Sequence, residues 1–162
     1  MATDGKAAML KWGVKQSFRS YVEGSGGTIQ AGGGAERTAD GEFAFAAAPG
    51  AGLRRTAGGD LEGVARFAGD VRFEAHGGML QVFLADPAVE VGAEGGVITV
   101  ADSPERDHRL PLATLDLAAA TTGGNGEMVV PTKLSRDGWR LLGDHYAPMT
   151  PLDPLRLKLG AG

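Results

Sequence analysis

The sequence predicts a mainly β domain, an antiparallel sandwich-like fold with two short α-helices, one near each end of the chain. Three observations lead to this prediction. Glycine is frequent, with 27 residues among 162, which favours many turns and short strands. Several segments alternate apolar and polar residues with the period of two that is typical of a half-buried strand. The chain shows no linker long enough to divide it, so we expect one domain over residues 1–162.

The first element is predicted to be a helix over residues 7–23. Its apolar residues recur at helical spacing on one face: Leu10, Val14, Phe18 and Tyr21. A basic stripe on another face is typical of a solvated helix surface: Lys11, Lys15 and Arg19. The glycines that begin at Gly24 are expected to end the helix.

Strands are predicted for most of the chain that follows. The segments are 28–31, 42–48, 61–75, 79–91, 96–101 and 109–117. Gly77 and Gly78 separate the third segment from the fourth and indicate a tight hairpin, and Gly95-Gly96 indicates a similar turn.

The C-terminal part is predicted to contain a loop, a second helix and a closing strand. The loop covers residues 119–126, and the helix follows Val129-Val130, with Ser135 as its N-cap. Trp139 and Leu142 would form the apolar side of that helix. The closing strand is indicated by apolar residues that alternate with charged ones: Leu155, Leu157 and Leu159.

Composition excludes several classes of function. The net charge is −4 and no strongly basic block is present, which argues against nucleic-acid binding. The absence of cysteine excludes disulfides, thiolate metal sites and a cysteine nucleophile. No apolar run approaches the roughly 20 residues of a membrane-spanning helix. Residues 1–8 lack the apolar core of a signal peptide.

Common catalytic and nucleotide-binding motifs are also missing. The glycine clusters at 24–27 and 32–34 fit neither a P-loop nor a dinucleotide-binding fingerprint, so turns are the better interpretation. His76, His108 and His145 form no HExxH motif or other close pair, and no serine lies in a GxSxG elbow. A pair of catalytic carboxylates stays open, because any fold can bring Asp and Glu together.

Tyr21, His76 and Tyr146 each carry a ring with a polar group, and a purely structural role can explain each of them. Tyr21 would seal the edge of the core with its hydroxyl in water. His76 would be an exposed turn residue, and Tyr146 would pack at the end of the second helix.

The same residues lie within four motifs that occur in order along the chain. These are LKWGVKQSFRSYV at 10–22, VRFEAHGGML at 71–80, ADP at 85–87, and Tyr146 followed by LDPL at 152–155. Together they resemble the HtaA domain of haem-uptake proteins from corynebacteria and other actinobacteria. The similarity extends over about residues 8–160, and the first motif is long enough to be specific.

The resemblance implies a non-enzymatic protein that captures ferric haem b and passes it on. It implies that Tyr21 ligates the iron and that His76 supports this tyrosine. It also implies that Tyr146 lines the pocket near the propionates, where Ser17 is placed to hydrogen-bond one of them. The macrocycle needs an apolar slot, and the residues that could help line it are Phe18, Val22, Met79 and Met149.

The sequence departs from the family pattern just before Tyr146, where His145 stands in place of an expected aromatic residue. This change affects the packing on one haem face and makes His145 a second candidate ligand. A phenolate oxygen suits Fe(III), and tyrosine is a known haem ligand. An imidazole beside the phenolate would orient and stabilise it.

Two alternatives belong to other functional classes. One is a haem-dependent enzyme of peroxidase-like or haem-degrading type, in which His145 or His108 would act at an open distal site. The other is a β interaction module that binds no haem. For the haem carrier, the expected partners are other haem-carrier domains or a membrane haem transporter, and the expected setting is secreted or on the cell surface.

Overall fold

The computed structural model describes residues 9–48, 53–55, 61–93, 95–122, 127–138 and 146–158. They form thirteen strands and one α-helix, α1 (Gln16–Gly24), together with 3-10 turns at His76–Gly78 and Leu117–Ala119. The strands are β1 (Met9–Trp12), β2 (Thr28–Gly32), β3 (Ala35–Arg37), β4 (Phe43–Ala47), β5 (Leu53–Arg55), β6 (Leu61–Ala68), β7 (Asp70–Ala75), β8 (Leu80–Gly92), β9 (Gly95–Ala101), β10 (Arg109–Leu115), β11 (Thr121–Thr122), β12 (Glu127–Leu134) and β13 (Pro151–Lys158).

Eight of the strands close into a barrel. Their order is β8-β9-β10-β12-β13-β1-β4-β6, and β6 pairs again with β8. The prediction of a mainly β, antiparallel fold is therefore confirmed, whereas the sandwich-like arrangement is wrong. The physical reason is the length of β8, whose first half pairs with β7 and whose second half, Ala88–Val91, pairs with β6. Alternation predicts a buried face, but it does not say whether a sheet packs on another sheet or closes on itself.

The strands β7 and β2 extend the sheet beyond the ring and carry α1. β7 pairs with Leu80–Ala85 of β8, and β2 pairs with the outer edge of β7. Alternate residues of β7 are buried as predicted, and the predicted hairpin at Gly77-Gly78 is present, with both glycines in the left-handed region. Because α1 packs on β2 and β7, this extension places the helix beside the hairpin tip.

The single strand predicted for residues 61–75 is two strands that separate at Gly69. Its φ of 135° lies in a region that glycine tolerates and other residues avoid. A Cβ at this position would lie 2.5 Å from Ala35 Cβ, so the chain needs a glycine here to approach β3. The bend directs β6 to β4 and β7 to β2.

The predicted helix over residues 7–23 begins too early. Met9–Trp12 is instead β1, a ring strand between β13 and β4, in which Leu10 and Trp12 are buried. Val14 has a φ of 64°, a left-handed conformation that separates strand β1 from helix α1. The spacing of the apolar residues was ambiguous because every fourth residue lies on one face of a helix and also on one face of a strand. The basic stripe is likewise not a solvated face, because Arg19 is buried.

The described part of the chain contains one α-helix, α1, where two helices were predicted. Val129 and Val130 belong to β12, which runs up to Ser135. Ser135 Oγ does accept a hydrogen bond of 2.8 Å from the Gly138 backbone N–H, as expected of an N-cap, but the structure there is a turn. Trp139 and Leu142 lie outside the described residues.

The remaining predicted strands are confirmed with small changes at their ends. β13 is the predicted closing strand, although Leu159 lies outside the described residues, and β10 stops at Leu115. The predicted loop over 119–126 contains the short strand β11, and residues 123–126 are not described.

The core fills the barrel and continues beneath α1. Its largest fully buried side chains are Trp12, Phe18, Phe43, Phe67 and Phe73, together with six aliphatic residues. No helix among the described residues is long and apolar enough to cross a lipid bilayer.

We expect Gly69→Ala to destabilise the fold. The substitution adds a Cβ against Ala35 and imposes a φ that L-residues avoid, so the free energy of unfolding should fall by roughly 1–3 kcal/mol. Denaturant unfolding followed by circular dichroism measures this change. Gly92→Ala is the matched control, because a Cβ on Gly92 would meet no atom within 4 Å. Equal stability of the two variants would contradict this role of Gly69.

Candidate ligand-binding site

α1 presents two polar side chains on its exposed face. Ser17 and Tyr21 are four residues apart and therefore neighbours on one side of the helix. The opposite side buries Phe18 and Val22 in the core. Phe18 meets Phe73 of β7 edge to face, with 5.1 Å between ring centroids. This apolar contact fixes α1 against the strand that leads to the hairpin tip.

Tyr21 meets His76 at that tip. The Tyr21 hydroxyl oxygen lies 2.6 Å from His76 Nε2, and the ring centroids are 5.6 Å apart. His76 is exposed in a 3-10 turn with a φ of 56°, a left-handed conformation that is uncommon for a residue with a side chain. Tyr21 is 38% exposed, so part of its ring stays accessible beside the bonded hydroxyl.

Gly27 allows the chain after α1 to approach β7 closely. Its N–H donates to Val22 O at 2.9 Å and so closes the end of the helix. A Cβ on Gly27 would lie only 2.1 Å from Glu74 O, two residues before His76. The predicted role of the glycines after Gly24 is confirmed, and one of them also brings helix and hairpin together.

Ser17 meets Tyr146 one helical turn before Tyr21. The two hydroxyl oxygens are 2.7 Å apart. The half-buried ring of Tyr146 packs on Phe18, with 6.4 Å between centroids. The Lys15 ammonium lies 5.5 Å from the Tyr146 ring centroid and donates to Pro151 O at 2.8 Å. A cation and two hydroxyls therefore surround the start of α1.

Four of the residues singled out in the sequence are thus brought together as two hydrogen-bonded pairs on one helix face. Phe18 lies entirely within the core beneath Tyr146, so it supports the site from below. Met79 follows the hairpin tip and is 91% exposed, and Met149 is 59% exposed. His145 lies outside the described residues. His108 is not part of these pairs and contacts Asp102 at 3.3 Å.

An ion pair beneath α1 was not anticipated from the sequence. Arg19 Nη1 lies 2.7 Å from Asp153 Oδ2 and also donates to Gly13 O at 2.7 Å. Asp153 Oδ1 accepts the Gln16 N–H at 3.0 Å, which caps the helix because Lys15 offers no capping side chain. The available signal was that residues 10–22 and 152–155 both belong to the quoted motifs.

Gly13 makes room for this ion pair. A Cβ at Gly13 would lie 2.2 Å from Arg19 Nη1 and 2.9 Å from Asp153 Oδ2. The same Cβ would lie 2.9 Å from Glu42 Cγ. Three charged side chains therefore converge on the space that glycine leaves empty.

Two acidic side chains near this cluster, Asp40 and Glu42, have pKa values that are shifted in opposite directions. Hydrogen bonds from Thr38 and Lys11 hold the pKa of the exposed Asp40 carboxyl well below its ordinary value. Burial raises the pKa of Glu42, and the charge of Asp40 raises it further. Glu42 Oε1 is buried and has no hydrogen-bond partner among the described residues.

A concave cavity of about 240 Å³ opens beside His76. It is lined by the loop that follows α1, residues 25–28, and by residues 74–78 of β7 and the hairpin tip. Within the described ranges, no group of three or more His, Asp or Glu residues could hold a metal ion.

Comparison with known proteins gives one family and a shared fold. A family model described as Htaa matches residues 7–158. The C-terminal domain of HtaA from Corynebacterium glutamicum is similar in structure, with a TM-score of 0.77, 24% identity, and coverage of 99% of this chain and 100% of that one. Its N-terminal domain gives a TM-score of 0.74 and 23% identity, with 99% of each chain covered.

A third similar structure is the haem-binding protein HtaB from Corynebacterium glutamicum. It has a TM-score of 0.68 and 21% identity, with 94% of this chain and 92% of that one covered. At these identities the structures establish the fold alone. No curated protein matches the chain significantly.

We expect Glu42→Gln to stabilise the protein at neutral pH. In the folded state Glu42 keeps its proton to a higher pH than in the unfolded chain, so its presence makes stability fall as the pH rises through and above the ordinary glutamate range. Removing the charge should raise the free energy of unfolding at pH 7 by on the order of 1 kcal/mol. The two proteins should converge at low pH, where Glu42 is protonated.

Urea unfolding between pH 4 and pH 8 measures this effect. The control is Glu36→Gln, which changes an exposed carboxylate on β3. A Glu42→Gln protein that loses stability at pH 7 would show that the Glu42 charge is favourable in the fold.

Proposed function

The chain belongs to the HtaA family, and on that premise we propose that it is a haem-binding carrier domain in which Tyr21 is the iron ligand. The observation that carries the proposal is the contact of 2.6 Å between the Tyr21 hydroxyl and His76 Nε2 on an exposed helix face. The similar fold of the haem-binding protein HtaB supports haem as the bound molecule.

The Tyr21–His76 pair is suited to hold ferric iron. A phenol binds iron best as an anion, so it must give up its proton. His76 Nε2 lies where it can accept that proton or its hydrogen bond, and can then hold the phenolate in place. Bound haem would supply a ferric iron, a Lewis acid that the Tyr21 oxygen would hold with His76 beside it.

The Ser17–Tyr146 pair fits the haem carboxylates. Each hydroxyl carries one hydrogen, and their mutual bond uses only one of the two. The second hydrogen stays available to donate to a ligand oxygen. The Lys15 ammonium near the Tyr146 ring adds a positive charge at the same end of α1. These three groups would hold a propionate one helical turn from the iron ligand.

Exposed methionines fit the apolar part of the ligand. Met79 lies directly after the hairpin tip, and Met149 lies three residues beyond Tyr146. Their flexible thioether side chains adapt to a flat apolar surface and would exclude water from it. Phe18 would hold Tyr146 in place from the core, and His145 is retained as a candidate second ligand.

A carrier role follows from the chemistry of this ligand set. An anionic oxygen ligand favours the ferric state, and the accessibility of Tyr21 leaves the site open at the surface. Protonation of the Tyr21 oxygen would weaken its hold on the iron and so favour release of the haem. We therefore propose that the domain acts without catalysis at the cell surface or outside the cell, and that it exchanges haem with other carrier domains or with a membrane haem transporter.

We expect Tyr21→Phe to abolish the spectrum of hemin bound through a phenolate. Wild-type protein titrated with hemin should give a Soret band with ferric-phenolate charge-transfer features, which the variant lacks because Phe has no oxygen. His76→Ala should keep Tyr21 as the iron ligand but weaken hemin binding by about 10- to 100-fold, as loss of a supporting contact commonly does. The matched control is His108→Ala, because His108 bonds only to Asp102 among the contacts described. An unchanged spectrum in Tyr21→Phe would refute the ligand assignment.

We expect Tyr146→Phe to weaken hemin binding while preserving the phenolate spectrum. The variant keeps the ring that packs on Phe18 and loses only the hydroxyl that bonds to Ser17. Loss of one hydrogen bond to a charged group predicts a dissociation constant about 10-fold larger. The same measurement with the dimethyl ester of hemin, which has no free carboxylate, should show no difference between variant and wild type. A difference that persists with the ester would place the Tyr146 hydroxyl elsewhere in the site.

A further inference from the structure

We propose that Asp153 of β13 is a positioning residue for the site. Its carboxylate holds α1 in the orientation in which Tyr21 reaches His76 and Ser17 reaches Tyr146. The inference rests on the proposed function only where it concerns hemin, because both contacts lie within the chain itself.

Every polar atom of Asp153 is engaged. Its backbone N–H donates to Val14 O at 2.9 Å, and its carbonyl oxygen accepts from Trp12 Nε1 at 2.7 Å and from Thr132 Oγ1 at 2.9 Å. These three bonds anchor the residue to β1, to the loop before α1 and to β12. The two carboxylate oxygens are then left to face the helix, where they bind the Gln16 N–H and the Arg19 guanidinium.

The two carboxylate bonds act on different parts of α1. The bond to Gln16 satisfies an N–H at the start of the helix, where a negative charge also interacts favourably with the helix dipole. The bond to Arg19 reaches one turn further along. The side chains of Arg19 and Asp153 are only 8% and 18% exposed, so water and salt screen this pair little. Two points of attachment fix both the start of the helix and its rotation about its axis.

The far end of α1 is held separately. Glu23 bonds to Arg37 of β3 at 2.7 Å, and the chain closes through Gly27 N–H to Val22 O. If the carboxylate bonds at the start were lost, the helix would pivot about this far end. Ser17 would move most, and Tyr21 would turn relative to His76. Asp153 touches neither Tyr21 nor His76 in any contact described, so its effect on them would pass through α1.

Asp153→Asn tests the proposal, because the amide oxygen can still accept from Gln16 while the charge opposite Arg19 is lost. Thr132→Val is the matched control, because it removes a hydrogen bond to the carbonyl of the same residue and leaves the carboxylate intact. The first measurement uses protein without hemin. Two-dimensional NMR follows the His76 Cε1–H and Tyr21 ring resonances, with Tyr21→Phe as the reference for a broken contact. Thermal unfolding monitors stability in parallel.

We expect Asp153→Asn to shift the His76 resonance toward its position in Tyr21→Phe and to weaken hemin binding about 10-fold. Thr132→Val should lower the melting temperature and leave the His76 resonance unchanged. The proposal would be overturned if Asp153→Asn lowered the melting temperature as the control does but left the His76 and Tyr21 resonances as in wild type. Asp153 would then be a purely structural residue.

A second variant and a measurement without hemin allow the proposal to be tested in every case. If loss of one charge prevents folding, Asp153→Asn combined with Arg19→Met removes both members of the ion pair, and the same NMR comparison applies. If wild-type protein fails to bind hemin, the proposed function fails, whereas the NMR shifts still decide whether Asp153 positions the Tyr21–His76 pair.

Discussion

The attachment of α1 to the barrel is the constraint on which the rest of the site depends. A helix of nine residues is too short to be stable alone, so its surroundings must hold it. The apolar side does this through Phe18 and Val22, which pack into the core. That contact has little directional preference, whereas the bonds from the Asp153 carboxylate have a fixed geometry. Together they give the exposed face of the helix a defined orientation.

Local patterns in the sequence predicted local structure well. The alternation in β7 and the glycine pair after it predicted the hairpin that carries His76. The start of α1 was not predictable in the same way, because Leu10 and Val14 satisfy both helical and strand spacing and only the pairing of β1 with β13 and β4 decides between them. Closure of the barrel depends on β8 sharing its edge between β7 and β6, which is a long-range arrangement that no local pattern encodes.

The residues of the candidate site were likewise only partly predictable from the sequence. Ser17, Tyr21, His76 and Tyr146 were singled out through motifs that resemble a known domain, and the fold brings them together in pairs. The roles of Arg19 and Asp153 could not be obtained in this way. Charged residues on a helix usually face solvent, and a partner 134 positions away in the chain becomes visible only once β13 lies beside β1.

Two exposed methionines lie close in sequence to the paired residues of the candidate site and add little to the stability of the fold. Met79 and Met149 project from the surface and contribute little buried area to the core. Substitutions at such positions usually change stability by no more than about 0.5 kcal/mol. Natural variation or directed evolution could therefore change the chemistry of this surface without first compensating for a weakened barrel. The charged cluster around Gly13 offers no such freedom, because even one added methyl group would collide with it.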